Sequence, residues 1–205
     1  MRRTRHVCWL LVLLILSGAS PAQEPCTCPG AKVAGGWCEL HGTGYVASVE
    51  IHSRLLYDAL DAHGHMLDLS TFECTLCRTA IESDGFCDQH RVGFLARQAY
   101  FSRLTYELAR GEAREPISIT CPTCRRNTAS HGWCEKCGVG MVGHVQVRDR
   151  RAYEHAAKAV DILRAASNTV KRCEWCAIAM VTDTTCPQCR ITWKDGKPVA
   201  TPSAP

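Results

Sequence analysis

Hydrophobic and polar positions along the chain predict one coarse plan several times over. A short extended stretch such as Tyr45–Ile51 gives way to a helix opened by Ser53, Ser102 or Asp149. Each of these residues is a good N-cap, because a side-chain oxygen can accept from N–H groups of the first turn. The pattern predicts helices over Ser53–His63, Ser102–Arg110 and Asp149–Ala166. Leu56 with Leu60, and Leu104 with Leu108, give the first two helices an apolar edge at i, i+4. Those two end before Gly64 and Gly111, residues suited to C-caps. A further extended stretch such as Ile117–Thr120 leads to the next group of polar and cysteine positions.

The plan recurs because the sequence does. Cys74-x2-Cys77 is followed after nine residues by Cys87-x2-His90, Cys121-x2-Cys124 by Cys134-x2-Cys137, and Cys173-x2-Cys176 by Cys186-x2-Cys189. A first unit opens with the shorter pair Cys26-x-Cys28 and closes, after the same gap, with Cys38-x2-His41. Trp37, Phe86 and Trp133 precede the third cysteine or its equivalent, each after a glycine. Gly44, Gly93 and Gly140 lie three residues past the fourth ligand position, followed by Tyr45, Phe94 and Met141, with Trp193 in the same register of the last unit. Tyr57, Tyr106 and Tyr153 stand four residues past the proposed N-caps, and Arg54, Arg103 and Arg150 directly after them. So many coincidences define a repeat of about 50 residues, a period typical of array architectures.

The spacing carries a chemistry. A Cys-x2-Cys turn presents two sulfurs on one side with backbone N–H groups free to support them, and two such turns can close a tetrahedral shell around Zn²⁺. The predicted ligand sets are Cys26, Cys28, Cys38 and His41; Cys74, Cys77, Cys87 and His90; Cys121, Cys124, Cys134 and Cys137; and Cys173, Cys176, Cys186 and Cys189. A disulfide scaffold is the competing reading for a cysteine-rich exported chain. His41 and His90 stand where Cys137 and Cys189 stand in the repeat, and histidine can replace a thiolate on zinc but not in a disulfide. Trp133-Cys134-Glu135-Lys136-Cys137 is similar to the Trp-Cys-x-x-Cys of thioredoxin-like proteins. The same register of the first unit holds Trp37-Cys38-Glu39-Leu40-His41, which cannot cycle as a dithiol.

At the level of a class, the units resemble zinc ribbons or rubredoxin-like knuckle pairs over most of the chain. The fold expected is small metal-stabilised α+β repeats: four knuckle pairs, each two knuckles joined by a tight hairpin, separated by α-helices. The resemblance to rubredoxin leaves iron, and with it electron transfer, open for the two all-cysteine units; histidine-containing sites suit zinc better.

The first residues alter the charge picture. Arg2, Arg3 and Arg5, the apolar run Val7–Leu16 and the small residues through Ser20-Pro21-Ala22 have the layout of a secretory signal peptide cleaved after Ala22. The run is too short to span a membrane, which takes about 20 residues. The Arg2-Arg3 pair also raises twin-arginine export, and Cys8 leaves with the leader. Three of the 24 Lys and Arg go too, so 21 face 20 acidic residues, and four zinc ions on fourteen thiolates would bring the total to about −5. That is a poor start for neutralising phosphates, and no nucleic-acid partner is expected. The expected organisation is a leader at 1–22, units at 23–66, 67–112, 113–169 and 170–193, and a loose Pro- and Ala-rich tail at 194–205.

Other polar residues point to no enzyme. Every unit offers four ligands, whereas a hydrolytic zinc keeps one position open for water. Glu73, Glu82 and Asp84 pair with no recognisable nucleophile or base. His63 and His65, with Met66, form a candidate copper or zinc site or a helix-end cap. His52, His131, His144 and His155 read as surface residues, the repeated tyrosines as packing, and the repeated arginines as a solvated face rather than a binding stripe. The function expected is a periplasmic or secreted, non-enzymatic zinc protein that engages another envelope or secreted protein. The alternatives are a metal store, or an iron electron carrier.

Overall fold

The computed structural model describes residues 29–61 and 64–199. The leader-like segment, Cys26, Cys28, His63 and residues 200–205 lie outside them. The first unit contains α1 (Pro29–Ala34), β1 (Gly36–Cys38), β2 (Thr43–Val46), β3 (Val49–Ile51) and α2 (Arg54–Ala59). The second has β4 (His65–Met66), α3 (Thr75–Glu82), β5 (Phe86–Cys87), β6 (Val92–Leu95), β7 (Gln98–Tyr100) and α4 (Arg103–Ala109). The third has β8 (Glu112–Ala113), α5 (Pro122–Asn127), β9 (His131–Cys134), β10 (Val139–Val142), β11 (Val145–Val147) and the long α6 (Arg150–Thr169). The fourth consists of α7 (Glu174–Thr182) and the hairpin of β12 (Thr192–Lys194) and β13 (Lys197–Val199).

Each unit carries its own antiparallel sheet, in the orders β1-β2-β3, β4-β7-β6-β5, β8-β11-β10-β9 and β12-β13. In the second and third units the short strand left by the preceding connection, β4 or β8, adds itself to the outer edge.

The two cysteine pairs of the described clusters are not joined by a tight hairpin, as expected, but by a short helix, followed in the second and third units by a strand. Cys74, Cys121 and Cys173 are the N-caps of α3, α5 and α7. Pro122 stands at the start of α5, where its missing N–H has no intrahelical role. Tyr45–Ile51 is two strands around Ala47–Ser48, both in the left-handed region at φ 49° and 63°. The hairpin twist demands that geometry, and no Asn-Gly advertises it. Ala96–Arg97 repeats it at φ 48° and 67°.

The predicted helices are present with shifted ends. α2 stops at Ala59 rather than His63, because Asp61 turns left-handed at φ 50° and accepts from or shares a proton with His65 Nε2 at 2.6 Å. Gly64 and Gly111 are not left-handed caps; each clears room for a neighbour, a Cβ on Gly111 falling 2.3 Å from Val145 Cγ1. Ser53 and Asp149 cap as predicted, accepting from Leu56 N (2.9 Å) and Ala152 N (2.7 Å), whereas the Ser102 side chain makes no cap bond. Ile117–Thr120 is not an extended stretch, since a 3₁₀ turn occupies Pro116–Ser118. The tail expected from Lys194 is partly ordered, with Lys197–Val199 paired to Thr192–Lys194.

The units do not form a linear array. One core takes Val46, Ile51, Leu56 and Leu60 from the first, Leu104 from the second, and Ala177 and Met180 from the fourth. It is built on the face of α6 made by Ala156, Val160, Leu163 and Ala166, each fully buried. Smaller apolar clusters surround the cysteines of the second, third and fourth units.

Candidate metal centres

The short helices explain where the first two ligands of each centre come from. A cysteine at the N-cap and another in the first turn point their sulfurs to one side of the helix. The third ligand ends a strand in the first three units and follows the isolated Thr185–Thr192 bridge in the fourth, and the fourth ligand sits in the turn after it. A left-handed residue closes that turn in every unit: Gly42, Arg91, Gly138 and Arg190, at φ 58°, 53°, 63° and 58°.

Three clusters of four ligand atoms result: Cys74, Cys77, Cys87 with His90; Cys121, Cys124, Cys134 with Cys137; and Cys173, Cys176, Cys186 with Cys189. In each, all ligand atoms lie within 4.8 Å of one another, with the two central residues buried and the fourth exposed. Four clusters were expected, and three are placed among the described residues. Cys38 and His41 come together, Sγ to Nδ1 at 3.2 Å, on a backbone turn shaped like its siblings, but Cys26 and Cys28 lie outside the described residues.

The distances suit a shared ion. For a tetrahedral cation about 2.3 Å from each sulfur, sulfur–sulfur edges are about 3.8 Å, against about 2.05 Å in a disulfide. Cys121 and Cys134 are 3.8 Å apart, as are Cys173 and Cys186, and Cys173 and Cys189 are 3.6 Å apart. With nitrogen at about 2.05 Å the mixed edge shrinks to about 3.6 Å. His90 Nδ1 lies 3.4 Å from Cys77 Sγ and 3.8 Å from Cys87 Sγ, so Nδ1 is the atom the imidazole offers. All eleven cysteines of these clusters are free of disulfides. Cys134 and Cys137 are half of a four-sulfur set rather than an isolated dithiol.

Electrostatics sort the sulfurs within a cluster. The Cys77 N–H at the open end of α3 holds the Cys74 thiol down at about 7, and the Cys124 N–H holds Cys121 at about 6. Burial pushes Cys77 up to about 12 and raises Cys124 and Cys176 as well. Burial also opposes ionisation of Cys186, but the Cys189 N–H, 3.3 Å from its sulfur, and the neighbouring thiols bring it to about 7. Each cluster therefore pairs a sulfur that ionises readily with one that stays protonated unaided. A bound dication resolves that conflict by favouring the thiolate at every position.

Around the centres, the other repeated residues form one clip used three times. Tyr57, Tyr106 and Tyr153 lie against Trp37, Phe86 and Trp133, with ring centroids 5.4, 5.4 and 5.5 Å apart. On their other side they press on Gly44, Gly93 and Gly140, where a Cβ would fall 2.2–2.4 Å from a ring carbon. The repeated tyrosines are packing, as expected. The arginines are more than a solvated face. Arg54, Arg103 and Arg150 stack over the same aromatic rings at 5.2, 4.3 and 4.7 Å. They also pair with Glu39, Asp88 and Glu135, the residue after the third ligand. The clip thus ties each second knuckle to the helix that follows it.

The remaining candidates are distributed differently from expectation. His65 pairs with Asp61, and its intended partner His63 lies outside the described residues. His52 is a surface residue beside Glu50. His131 is partly exposed and bridges Asp161 (2.9 Å) and the Tyr153 hydroxyl (3.5 Å). His144 is drawn inward, and burial lowers its pKa. His155 joins Arg103 and the fully buried Glu107 between α4 and α6. Asp84 accepts from Ala96 N, and Asp183 from Asp195 N, at equivalent places in the second and fourth units. Glu82 is exposed, and Glu73 lines a cavity beside the second cluster. Sequence reasoning missed Gln89 and Gln188, whose amide oxygens face Cys74 and Cys173 at 3.8 and 3.5 Å; their shared place just before the fourth ligand was the available signal. No protein-family model, no curated protein and no solved structure matches this chain.

Proposed function

We propose that this is an exported zinc protein whose metal centres staple four repeat units onto a common core, and that it acts as a structural or protein-interaction module. The observation that carries the reading is the closure of the ligand sets. Each cluster offers four donors at tetrahedral spacing, and each is embedded in a small apolar cluster of its own unit. A four-donor shell of sulfur and imidazole suits zinc in a structural role. Sites of that kind contribute folding free energy directly, and the units around them are too small to fold on apolar burial alone. Export rests on the leader-like segment ending at Ala22. Among the described residues no helix is long and apolar enough to cross a membrane.

Elemental analysis of the mature protein from its native compartment, with a thiol count under denaturing conditions plus chelator, tests this reading. Expected are one zinc ion for each described cluster, a further ion if the first unit closes, nearly all thiols recoverable, and an N-terminus at Gln23. Chelation should unfold the chain. Oxidised thiols without metal would overturn the reading. Iron confined to the third and fourth clusters would replace it with electron transfer.

A further inference from the structure

The second cluster differs from the other two in ways that bear on exchange rather than on folding. One of its donors is the neutral imidazole of His90, so its ligand set carries three negative charges where the others carry four, and it holds a dication less strongly by the same Coulomb argument. His90 is the exposed member of its set, as Cys137 and Cys189 are of theirs, so what sets this centre apart is its imidazole and the space beside it. Beside it lies a cavity of about 370 Å³, at the lower end of the range of small-molecule sites, about 300–1,000 Å³. Cys74, Cys77 and His90 themselves form part of its lining, together with Phe72, Phe101 and Thr71. Phe101, half exposed and packed on His65 with ring centroids 5.4 Å apart, supplies one apolar wall. An incoming donor in this cavity would lie next to ligand-bearing residues without unfolding the unit.

We propose that the second cluster is an exchange site, at which a thiolate ligand from outside the chain enters the cavity and takes the place of His90 on the metal. This rests on the metal reading above and adds to it a function for one centre. The substitution involves no redox change. The incoming sulfur donates an electron pair to the ion as Nδ1 of His90 leaves with its own, and the proton of the incoming thiol passes to solvent. Cys74, Cys77 and Cys87 hold the ion throughout, so it remains bound until the external ligand has engaged. The third and fourth clusters, with four thiolates each, stay as staples.

The test uses the full-length metal-loaded mature chain and follows ion release to a chromogenic pyridylazo chelator, with and without reduced glutathione as the thiol probe. One ion should leave at least about tenfold faster than the rest, and glutathione should accelerate that phase alone. His90→Cys should transfer this ion to the slow phase. Thr71→Trp, which fills the cavity from a position that is not itself a ligand, should slow the fast phase while total bound metal and the circular dichroism spectrum stay unchanged. A single release rate for all ions overturns the proposal, and so does a fast phase that survives His90→Cys, since that phase would belong to the first unit. A fast phase indifferent to both glutathione and Thr71→Trp overturns entry through the cavity. Absence of metal from the purified protein would instead overturn the metal reading itself.

Discussion

Replacing Gly140 by alanine tests the clip that recurs in three units. Gly140 lies on β10 with the Tyr153 ring directly over it. An added Cβ would stand 2.2 Å from Cδ2, 2.5 Å from Cγ and 2.9 Å from Cβ of that tyrosine. Carbon atoms in contact prefer about 3.5–4.0 Å, so the ring must retreat by more than an ångström. It has little room to do so, since Tyr153 is only 9% exposed and packs on Trp133 at 5.5 Å. Overpacking of this kind costs about 1–3 kcal/mol. For a chain of this size that corresponds to a fall in Tm of roughly 3–10 °C. The assay is thermal denaturation of metal-loaded protein, with metal content measured on the same sample. Bound metal should be unchanged, because the clip lies outside the ligand shell. In a Tyr153→Ala background the same Gly140→Ala change should cost nothing beyond about 0.5 kcal/mol. It could even stabilise slightly, because Gly140 does not use the left-handed region and alanine narrows the unfolded ensemble. An equal loss in both backgrounds would refute the account, because the cost would then not come from the tyrosine.

Leu163→Ala should cost about 2–5 kcal/mol, since Leu163 is fully buried on α6. Because the core is shared, the chain should still unfold in one calorimetric transition; separate transitions for separate units would contradict a common core. Arg54→Ala should leave Tm almost unchanged, as its ion pairs are exposed and screened. Arg103→Ala at the equivalent place should cost about 1.5–3 kcal/mol, because it removes the 2.8 Å partner of the fully buried Glu107 and leaves it Arg110 at 3.3 Å and His155 at 3.5 Å. Because chelation should unfold the chain, alkylation at neutral pH separates loaded from stripped protein: Cys121 and Cys124 should both resist while metal is bound and should label alike once it is removed. Rapid labelling of either residue in the loaded protein would count against its place in the ligand shell.

Most of the site was legible in the sequence because its requirements are local. The first pair needs two donors with two residues between them at the start of a helix, and the second the same spacing closed by a left-handed residue, so spacing alone identified all eleven cysteines and the histidine of the three clusters. The N-caps Ser53 and Asp149 were legible for the same reason. The short helices between the pairs were not. α1 and α5 have six residues and α3 eight, lengths at which propensity does not hold a helix in water. What positions α3 and α5 is the centre whose cysteines they carry at the N-cap and in the first turn, and that leaves no hydrophobic period. Ala47–Ser48 and Ala96–Arg97 were hidden because left-handed turns are normally announced by Gly or Asn, and strand pairing here overrides that preference. His144 was misplaced because it is drawn inward near residues as distant in sequence as Lys32, which no local pattern signals.

The departures from the repeat coincide with the places where the units meet. Glu107 and Glu154 share a repeat position, i+4 from the clip arginine. Glu154 is exposed, while Glu107 is sealed between α4 and α6 with Arg103, Arg110 and His155 around it. α6 is 20 residues long where α2 and α4 have six and seven, and its extra turns carry Val160, Leu163 and Ala166 into the core. α7 belongs to the fourth knuckle pair, yet it contributes Ala177 and Met180 to the core and Ala179 to its own cysteine cluster. A helix packed on more than one side needs apolar residues around its circumference, and Ala177-Ile178-Ala179-Met180-Val181 provides them. Ser53 caps α2 and donates to Glu174 at the start of α7, so the first and last units are also linked by hydrogen bonding. A solenoid would need the same interface between every pair of neighbours. Here the contacts use residues that the repeat does not share, which is why these units pack around one core instead of stacking as a solenoid.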